Sequence, residues 1–134
     1  MTRVNLISPI CLYDQHLIAE YREIPRIPNA VRKLLETKGS FDILKSLPES
    51  YVLGTGHVKF FYDKLQYIKN RHDSLKVEGK RRGFNLDLIT INLDGIPELF
   101  KKDFVSKTKD VILNLKRIED KILEKPNFYK YWRL

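Results

Sequence analysis

Hydrophobic residues recur at helical spacing in three stretches of the chain, and no stretch alternates convincingly as a β-strand. The first stretch begins near Asp14, a residue type that favours the N-terminus of a helix, and extends to about residue 38. Gly39 then provides a natural stop. Because proline removes a backbone donor and clashes with the preceding turn, Pro25 and Pro28 predict that this helix is kinked or split.

The second and third stretches predict two longer helices. The second covers residues 61–82, and its apolar face comprises Phe61, Leu65, Ile68 and Leu75. The third opens at residue 106 or 108 and closes before Pro126. Its predicted core stripe comprises Val111, Leu115, Ile118 and Ile122. Its predicted solvent side comprises Lys109, Lys116, Arg117 and Lys121.

Together these elements predict an all-α fold, a single compact domain over residues 1–134. Its three main helices are joined by long ordered loops, and an extended segment precedes the first helix. A length of 134 residues is usual for one domain, and an apolar fraction of 43% is enough for one core.

The first helix has two chemically different faces. At about 100° per residue, four apolar residues share one arc of roughly 120°, namely Leu17, Ile18, Tyr21 and Ile24. Polar and small residues share a separate arc of similar width, namely Gln15, His16, Ala19, Arg22, Glu23 and Arg26. One side is therefore suited to the core, while the other gathers charged groups that could contact a ligand.

The charge of the chain indicates a polyanionic partner. Lys and Arg number 25 against 17 Asp and Glu, which gives a formal net charge of +8. A small domain with this excess is attracted to nucleic acid or, second, to an anionic membrane surface. An ordinary basic domain with neither partner has the same composition.

Cysteine and histidine usage predicts neither a metal nor a cofactor. Cys11 is the only cysteine, so an internal disulfide and a C-x-x-C zinc site are both excluded. The three histidines lack metal-ligand spacing.

The apolar run at residues 6–11 is too short for a signal peptide or a membrane span. We expect a cytoplasmic, monomeric protein.

The N-terminus offers a candidate nucleophile. Met1 precedes the small residue Thr2, so we expect cellular processing to expose the α-amine of Thr2. With a pKa of about 7.7–8.0, about one α-amine in seven is neutral at pH 7, compared with about one lysine in 2,500. Nearby Arg3, Arg22 or Arg26 would lower that pKa further. Most chains that begin in this way make no use of the amine.

Other motifs have both a structural and a functional interpretation. Glu23, flanked by Arg22 and Arg26, is either a surface ion pair or a catalytic carboxylate. The sequence Gly54-Thr55-Gly56 indicates a structural turn, because it lacks the remaining P-loop residues. The tail at residues 128–133 interleaves aromatic and basic residues, which suits either stacking on nucleic acid or packing on the core.

Several blocks, in order along nearly the whole chain, resemble the phage-type pyrimidine-dimer DNA glycosylases, also called endonuclease V of the ultraviolet-repair type. The blocks are Thr2-Arg3-Val4-Asn5-Leu6, residues 14–23 with Pro25-Arg26, Leu53-Gly54-x-Gly56-His57-Val58, Phe60-Phe61-Tyr62-Asp63-Lys64, Arg82-Gly83-Phe84-Asn85, and Pro126-x-x-Tyr129-Lys130-Tyr131. Residues 36–50 and 86–108 match weakly. Phe128 stands where the family has Trp.

The resemblance implies specific catalytic and DNA-binding residues. Thr2 corresponds to the nucleophile, through its backbone amine, and Glu23 to the catalytic carboxylate. Arg22 and Arg26 correspond to basic residues around the scissile bond. The implied DNA contacts are Arg3, Gln15, His16, Arg117 and Lys121.

The resemblance also implies a reaction. The enzyme excises cyclobutane pyrimidine dimers from double-stranded DNA through an imine on the N-terminal amine, and then nicks the strand by β-elimination at the resulting abasic site. It flips a base and also binds intact DNA. Two alternatives remain open from the sequence: a basic DNA-binding protein without catalysis, and a glycosylase of the same fold for another lesion. A membrane-surface protein is a more distant third.

Overall fold

The computed structural model describes residues 2–86 and 89–132, and this part of the chain folds into helices without a β-strand. The α-helices are α1 (Asp14–Glu23), α2 (Arg26–Leu35), α3 (Ser40–Lys45), α4 (Leu65–Arg81) and α5 (Thr108–Glu124). Short 3-10 turns cover Pro9–Cys11, Lys59–Phe61 and Glu98–Phe100. The predicted all-α class is confirmed. None of the described helices is both long and apolar enough to cross a membrane.

The predicted kink lies at Pro25. Helix α1 ends at Glu23, and α2 begins three residues later, at Arg26. Pro28 does not add a second break, because it lies in the first turn of α2, where no intrahelical partner is needed for its nitrogen. Helix α2, which is the second half of the predicted first helix, ends at Leu35, slightly earlier than predicted. The short helix α3 follows it.

Helix α4 begins later than the sequence predicts. Phe61 belongs to the preceding 3-10 turn, and Lys64 has a non-helical backbone (φ −122°, ψ 41°). All four predicted face residues are nevertheless buried. Near the other end of α4, Leu86 packs so closely against Gly79 that a Cβ there would overlap its side chain.

Helix α5 has the predicted bounds, but one residue of its predicted core stripe is wrong. Leu115 is 45% exposed, whereas Asp110, Asn114 and Ile118 are buried. The inward face of α5 is therefore partly polar. Asn114 accepts a hydrogen bond from the Leu6 N–H at 2.7 Å, which explains why a polar residue occupies a core position.

Buried polar contacts tie α1 to α4 beside the hydrophobic core. Glu20 and Arg71 form an ion pair with an Oε2–Nε distance of 2.7 Å, and both side chains are buried. At the next residue of each helix, the rings of Tyr21 and His72 stack with centroids 4.5 Å apart. These contacts join α1 to α4.

Candidate active site

A cavity of about 150 Å³ lies between the N-terminal segment, α1, α5 and the C-terminal tail. Its lining residues are Arg3, Asn5, His16, Ala19, Glu20, Glu23, Arg117, Ile118, Lys121 and Tyr129. Five of the predicted site residues meet here: Arg3, His16, Glu23, Arg117 and Lys121. They are separated by up to 118 residues in sequence, so the fold, and not local spacing, brings them together.

The cavity contains polar atoms without hydrogen-bond partners. Within the described part of the chain, Arg3 Nη1, Arg117 Nε and both ring nitrogens of His16 are buried and make no hydrogen bond. Buried polar atoms are normally paired, because leaving them unpaired is costly. Burial lowers the pKa of His16, and the nearby Glu20 carboxylate opposes that shift. The free donors of two arginines favour an anionic ligand in the cavity.

Two carboxylates line the cavity, and their surroundings differ. Glu20 receives hydrogen bonds from Arg71 Nε, Arg71 Nη2, the Asn5 N–H and Asn5 Nδ2, at 2.7–3.3 Å. The Glu23 side chain is 21% exposed and pairs with the Arg26 guanidinium, which is 67% exposed, at a distance of 3.7 Å. Glu20 is therefore fully engaged, while Glu23 retains the capacity to stabilise a cation or accept a proton.

The extended N-terminal segment is held by side chains at its backbone amides. The Val4 N–H donates to His57 Nε2 at 2.9 Å, the Asn5 N–H to Glu20 Oε2, and the Leu6 N–H to Asn114 Oδ1. Thr2 is buried and precedes Arg3 of the cavity wall, although Thr2 itself is outside the set of lining residues. The predicted removal of Met1 concerns a position outside the described residues.

Three further predicted residues do not line the cavity. Arg22 is exposed on α1, and Arg26 lies beside Glu23. Gln15 contacts the tail, because its Oε1 accepts the Lys130 N–H at 2.8 Å. Its side-chain oxygen is thus engaged within the protein, a contact that the helical pattern did not indicate.

The C-terminal tail forms one wall of the cavity. Tyr129 stacks on His16, with ring centroids 4.4 Å apart and planes 9° from parallel. The ring centroid of Tyr131 lies 4.4 Å from the guanidinium carbon of Arg82. The Tyr131 hydroxyl donates to the Ile10 carbonyl at 2.7 Å. The aromatic spacing left two interpretations open, and the described tail packs on the protein while presenting Tyr129 to the cavity. Arg133 lies outside the described residues.

The basic residues of α5 extend beyond the cavity. Arg117 and Lys121 also line an adjoining depression of about 330 Å³, whose other lining residues are Leu53, Leu113, Lys116, Asp120 and Glu124. In the described residues, no group of three His, Cys, Asp or Glu side chains is placed to hold a metal ion.

Comparison with known families agrees with this geometry. The model of the family described as pyrimidine dimer DNA glycosylase matches residues 1–92. This is more than half of the 134 residues, and it includes the N-terminal segment, α1 and the α4 residue that pairs with Glu20. Helix α5 and the tail follow the matched region. The chain therefore belongs to the pyrimidine dimer DNA glycosylase family, a DNA-repair family whose substrate is DNA that contains pyrimidine dimers.

Proposed function

We propose that the protein excises pyrimidine dimers with the α-amine of Thr2 as nucleophile, and that the same imine carries a second, strand-nicking lyase step. The observation that supports this proposal is the cavity in which Arg3, Glu23 and Arg117 converge beside the N-terminal segment. A nucleophile, a carboxylate and anion-binding groups are the components that glycosidic-bond cleavage on DNA requires.

In the first step, the neutral amine of Thr2 attacks C1′ of the deoxyribose that carries the 5′ pyrimidine of the dimer. The C1′–N1 bond breaks, and its electron pair leaves with the base. Glu23, as a carboxylate, stabilises the positive charge that develops on the sugar. Loss of the amine proton and opening of the sugar ring then leave a protein–DNA imine.

In the second step, Glu23 accepts a proton from C2′. The electrons of that C–H bond move toward the imine, the C3′–O bond breaks, and the 3′ phosphate leaves with its electron pair. Water then hydrolyses the remaining imine and restores the amine. An abasic site enters the same sequence as an aldehyde, so we propose that abasic DNA is also a substrate.

The cationic groups would bind and deform the duplex. Arg3, Arg117 and Lys121 present donors that match phosphate oxygens, and Arg22 extends the charge along the exposed face of α1. His16 and Gln15 would contact the bent backbone, with Gln15 using its amide nitrogen because its oxygen holds the tail. We propose that a flipped base provides the room for the amine to reach C1′. The same charges would bind intact DNA nonspecifically.

Arg26 would act through Glu23. Its guanidinium lies 3.7 Å from the Glu23 carboxylate. Because Arg26 is largely exposed, it is also accessible to a DNA phosphate. Substrate binding would then share this charge between the phosphate and the carboxylate.

Borohydride trapping tests the proposal. Incubation with dimer-containing or abasic duplex and borohydride, in EDTA, should give a covalent adduct whose mass equals DNA plus the chain without Met1. Thr2→Ala should still form the adduct, because the amine and not the hydroxyl reacts. A sample with an acetylated N-terminus should form none.

Three results would contradict the proposal. Full-speed nicking by the acetylated protein would remove the amine from the mechanism. Binding without any adduct would identify a DNA-binding protein without catalysis. Adducts with oxidised but not with ultraviolet-irradiated duplex would identify a glycosylase for another lesion.

A further inference from the structure

The turn that contains Gly54 and Gly56 has no place in the chemistry above, yet it contacts the N-terminal segment directly. Both glycines have positive φ values, 70° and 90°, which permit the tight reversal that carries the following residue inward. That residue is His57, which is buried. Its Nε2 accepts the Val4 N–H at 2.9 Å, and its Nδ1 lies 2.8 Å from the Val52 carbonyl.

These two contacts specify one form of the imidazole. The Val4 N–H can donate only to an unprotonated Nε2, so the proton resides on Nδ1 and is donated to the carbonyl of Val52. The same loop also holds the other side of residue 4, because the Tyr51 hydroxyl donates to the Val4 carbonyl at 3.2 Å. The peptide groups on both sides of Val4 are thereby fixed by the segment at residues 51–57.

We infer that His57 is a positioning residue that fixes the N-terminal amine for attack. This inference rests on the proposed function, in which that amine is the nucleophile. Two residues of chain span at most about 7 Å, so an anchored Val4 confines the nitrogen of Thr2 to a small volume beside Arg3. Without His57, the first N–H held by a side chain is that of Asn5. The segment between the amine and its first anchor is then one residue longer.

His72 provides a matched control. It is the other buried histidine, and its Nε2 also lies at hydrogen-bond distance from a backbone oxygen, that of Tyr21 at 3.2 Å. Its ring stacks on Tyr21, so both its hydrogen bond and its ring contact lie between α1 and α4. Replacing either histidine removes a buried ring, but only one replacement releases Val4.

The experiment compares His57→Leu, His57→Gln and His72→Leu, each confirmed to be folded by near-ultraviolet circular dichroism. The rate of borohydride trapping on abasic duplex is measured under single-turnover conditions, and the Kd for the same duplex is measured separately. Hydrogen exchange of the Val4 amide reports anchoring without reference to activity. The Asn5 and Leu6 amides serve as internal controls, because other side chains hold them.

We expect His57→Leu to trap at least about tenfold more slowly with an unchanged Kd, since a misplacement of 1 Å can cost about 10²-fold. Its Val4 amide should lose protection. The Gln variant offers a carbonyl oxygen in place of Nε2 and should restore most of the rate. His72→Leu should trap at the rate of the unmodified protein.

The inference is overturned if His57→Leu traps at the normal rate, if both Leu variants slow equally, or if the Val4 amide stays protected. If His57→Leu does not fold, Tyr51→Phe, which removes only the hydroxyl on the Val4 carbonyl, must slow trapping at unchanged Kd. An unmodified protein that forms no adduct would refute the proposed function. The exchange of the Val4 amide would still decide whether His57 anchors the segment.

Discussion

Replacing each of the two cavity carboxylates by glutamine should separate stability from catalysis. Glu20 and Glu23 lie one turn apart on α1 and line the same cavity. Glu20→Gln and Glu23→Gln make the same chemical change, the loss of one negative charge with little change of shape. The two variants therefore serve as controls for each other.

The structure predicts a large loss of stability for Glu20→Gln. The Glu20 and Arg71 side chains are 1% and 5% exposed, and both nitrogens Nε and Nη2 of the arginine contact the carboxylate. Removing one partner leaves a buried charge uncompensated, which typically costs about 3–5 kcal/mol. Since small domains have stabilities of about 5–15 kcal/mol, this change should lower the urea midpoint strongly.

The same reasoning predicts almost no loss of stability for Glu23→Gln. Its ion pair is long, at 3.7 Å, and Arg26 is 67% exposed, so the pair should contribute no more than about 1 kcal/mol. Catalysis should respond in the opposite way. General-base contributions are typically about 10²–10⁴-fold, and a glutamine can neither accept the C2′ proton nor stabilise the cationic sugar as a carboxylate does.

Urea unfolding at pH 7 and single-turnover nicking of dimer-containing duplex measure the two effects. The nicking assay is performed well below the unfolding midpoint of the less stable variant, so that both proteins are folded. A Glu23→Gln protein with near-normal turnover would remove Glu23 from the mechanism. A Glu20→Gln protein as stable as the unmodified chain would refute the assignment of Glu20 as a structural anchor.

Two further predictions concern binding and pH. Arg117→Ala or Lys121→Ala should weaken binding to damaged and intact duplex alike. Each change should reduce the slope of log binding constant against log salt concentration by about 0.9. A variant that loses only cleavage activity, with an unchanged Kd, would contradict this prediction. Burial lowers the pKa of His16, His57 and His72 below 6.5, so the unfolded chain binds more protons below that pH. Stability should therefore fall as pH drops below 6.5, by up to about 1.4 kcal/mol per pH unit for each fully buried ring. A urea midpoint that is constant or rises from pH 7.5 to 5.5 would refute it.

Local sequence signals predicted most of the fold because the responsible interactions are themselves local. The break at Pro25 follows from the missing backbone donor, and the burial of Leu17, Tyr21 and Ile24 follows from their helical spacing. The late start of α4 was missed because Phe61 is buried at the right spacing while belonging to a 3-10 turn. Periodicity records which residues are apolar and not where the backbone becomes helical.

The candidate site was predicted less completely. The missed residues Glu20 and Asn114 both make hydrogen bonds to Asn5, which is distant in the sequence. At about 100° per residue, Glu20 falls in the gap between the apolar and polar arcs of α1. The helical spacing therefore assigned Glu20 to neither face. Asn114 was missed because periodicity scores only apolar positions, although it is bonded to Asn5, 109 residues earlier. A hydrogen bond between residues so far apart in the chain leaves no signal in a single sequence.

These missed residues address one physical problem. In the proposed mechanism the nucleophile is an amine at the end of an extended segment. The buried N–H groups that follow it need partners, since a buried unpaired donor costs about 1–3 kcal/mol. Here His57, Glu20 and Asn114 supply those acceptors in place of a neighbouring strand. If the proposed mechanism is correct, these buried polar side chains hold the segment that carries the reacting amine.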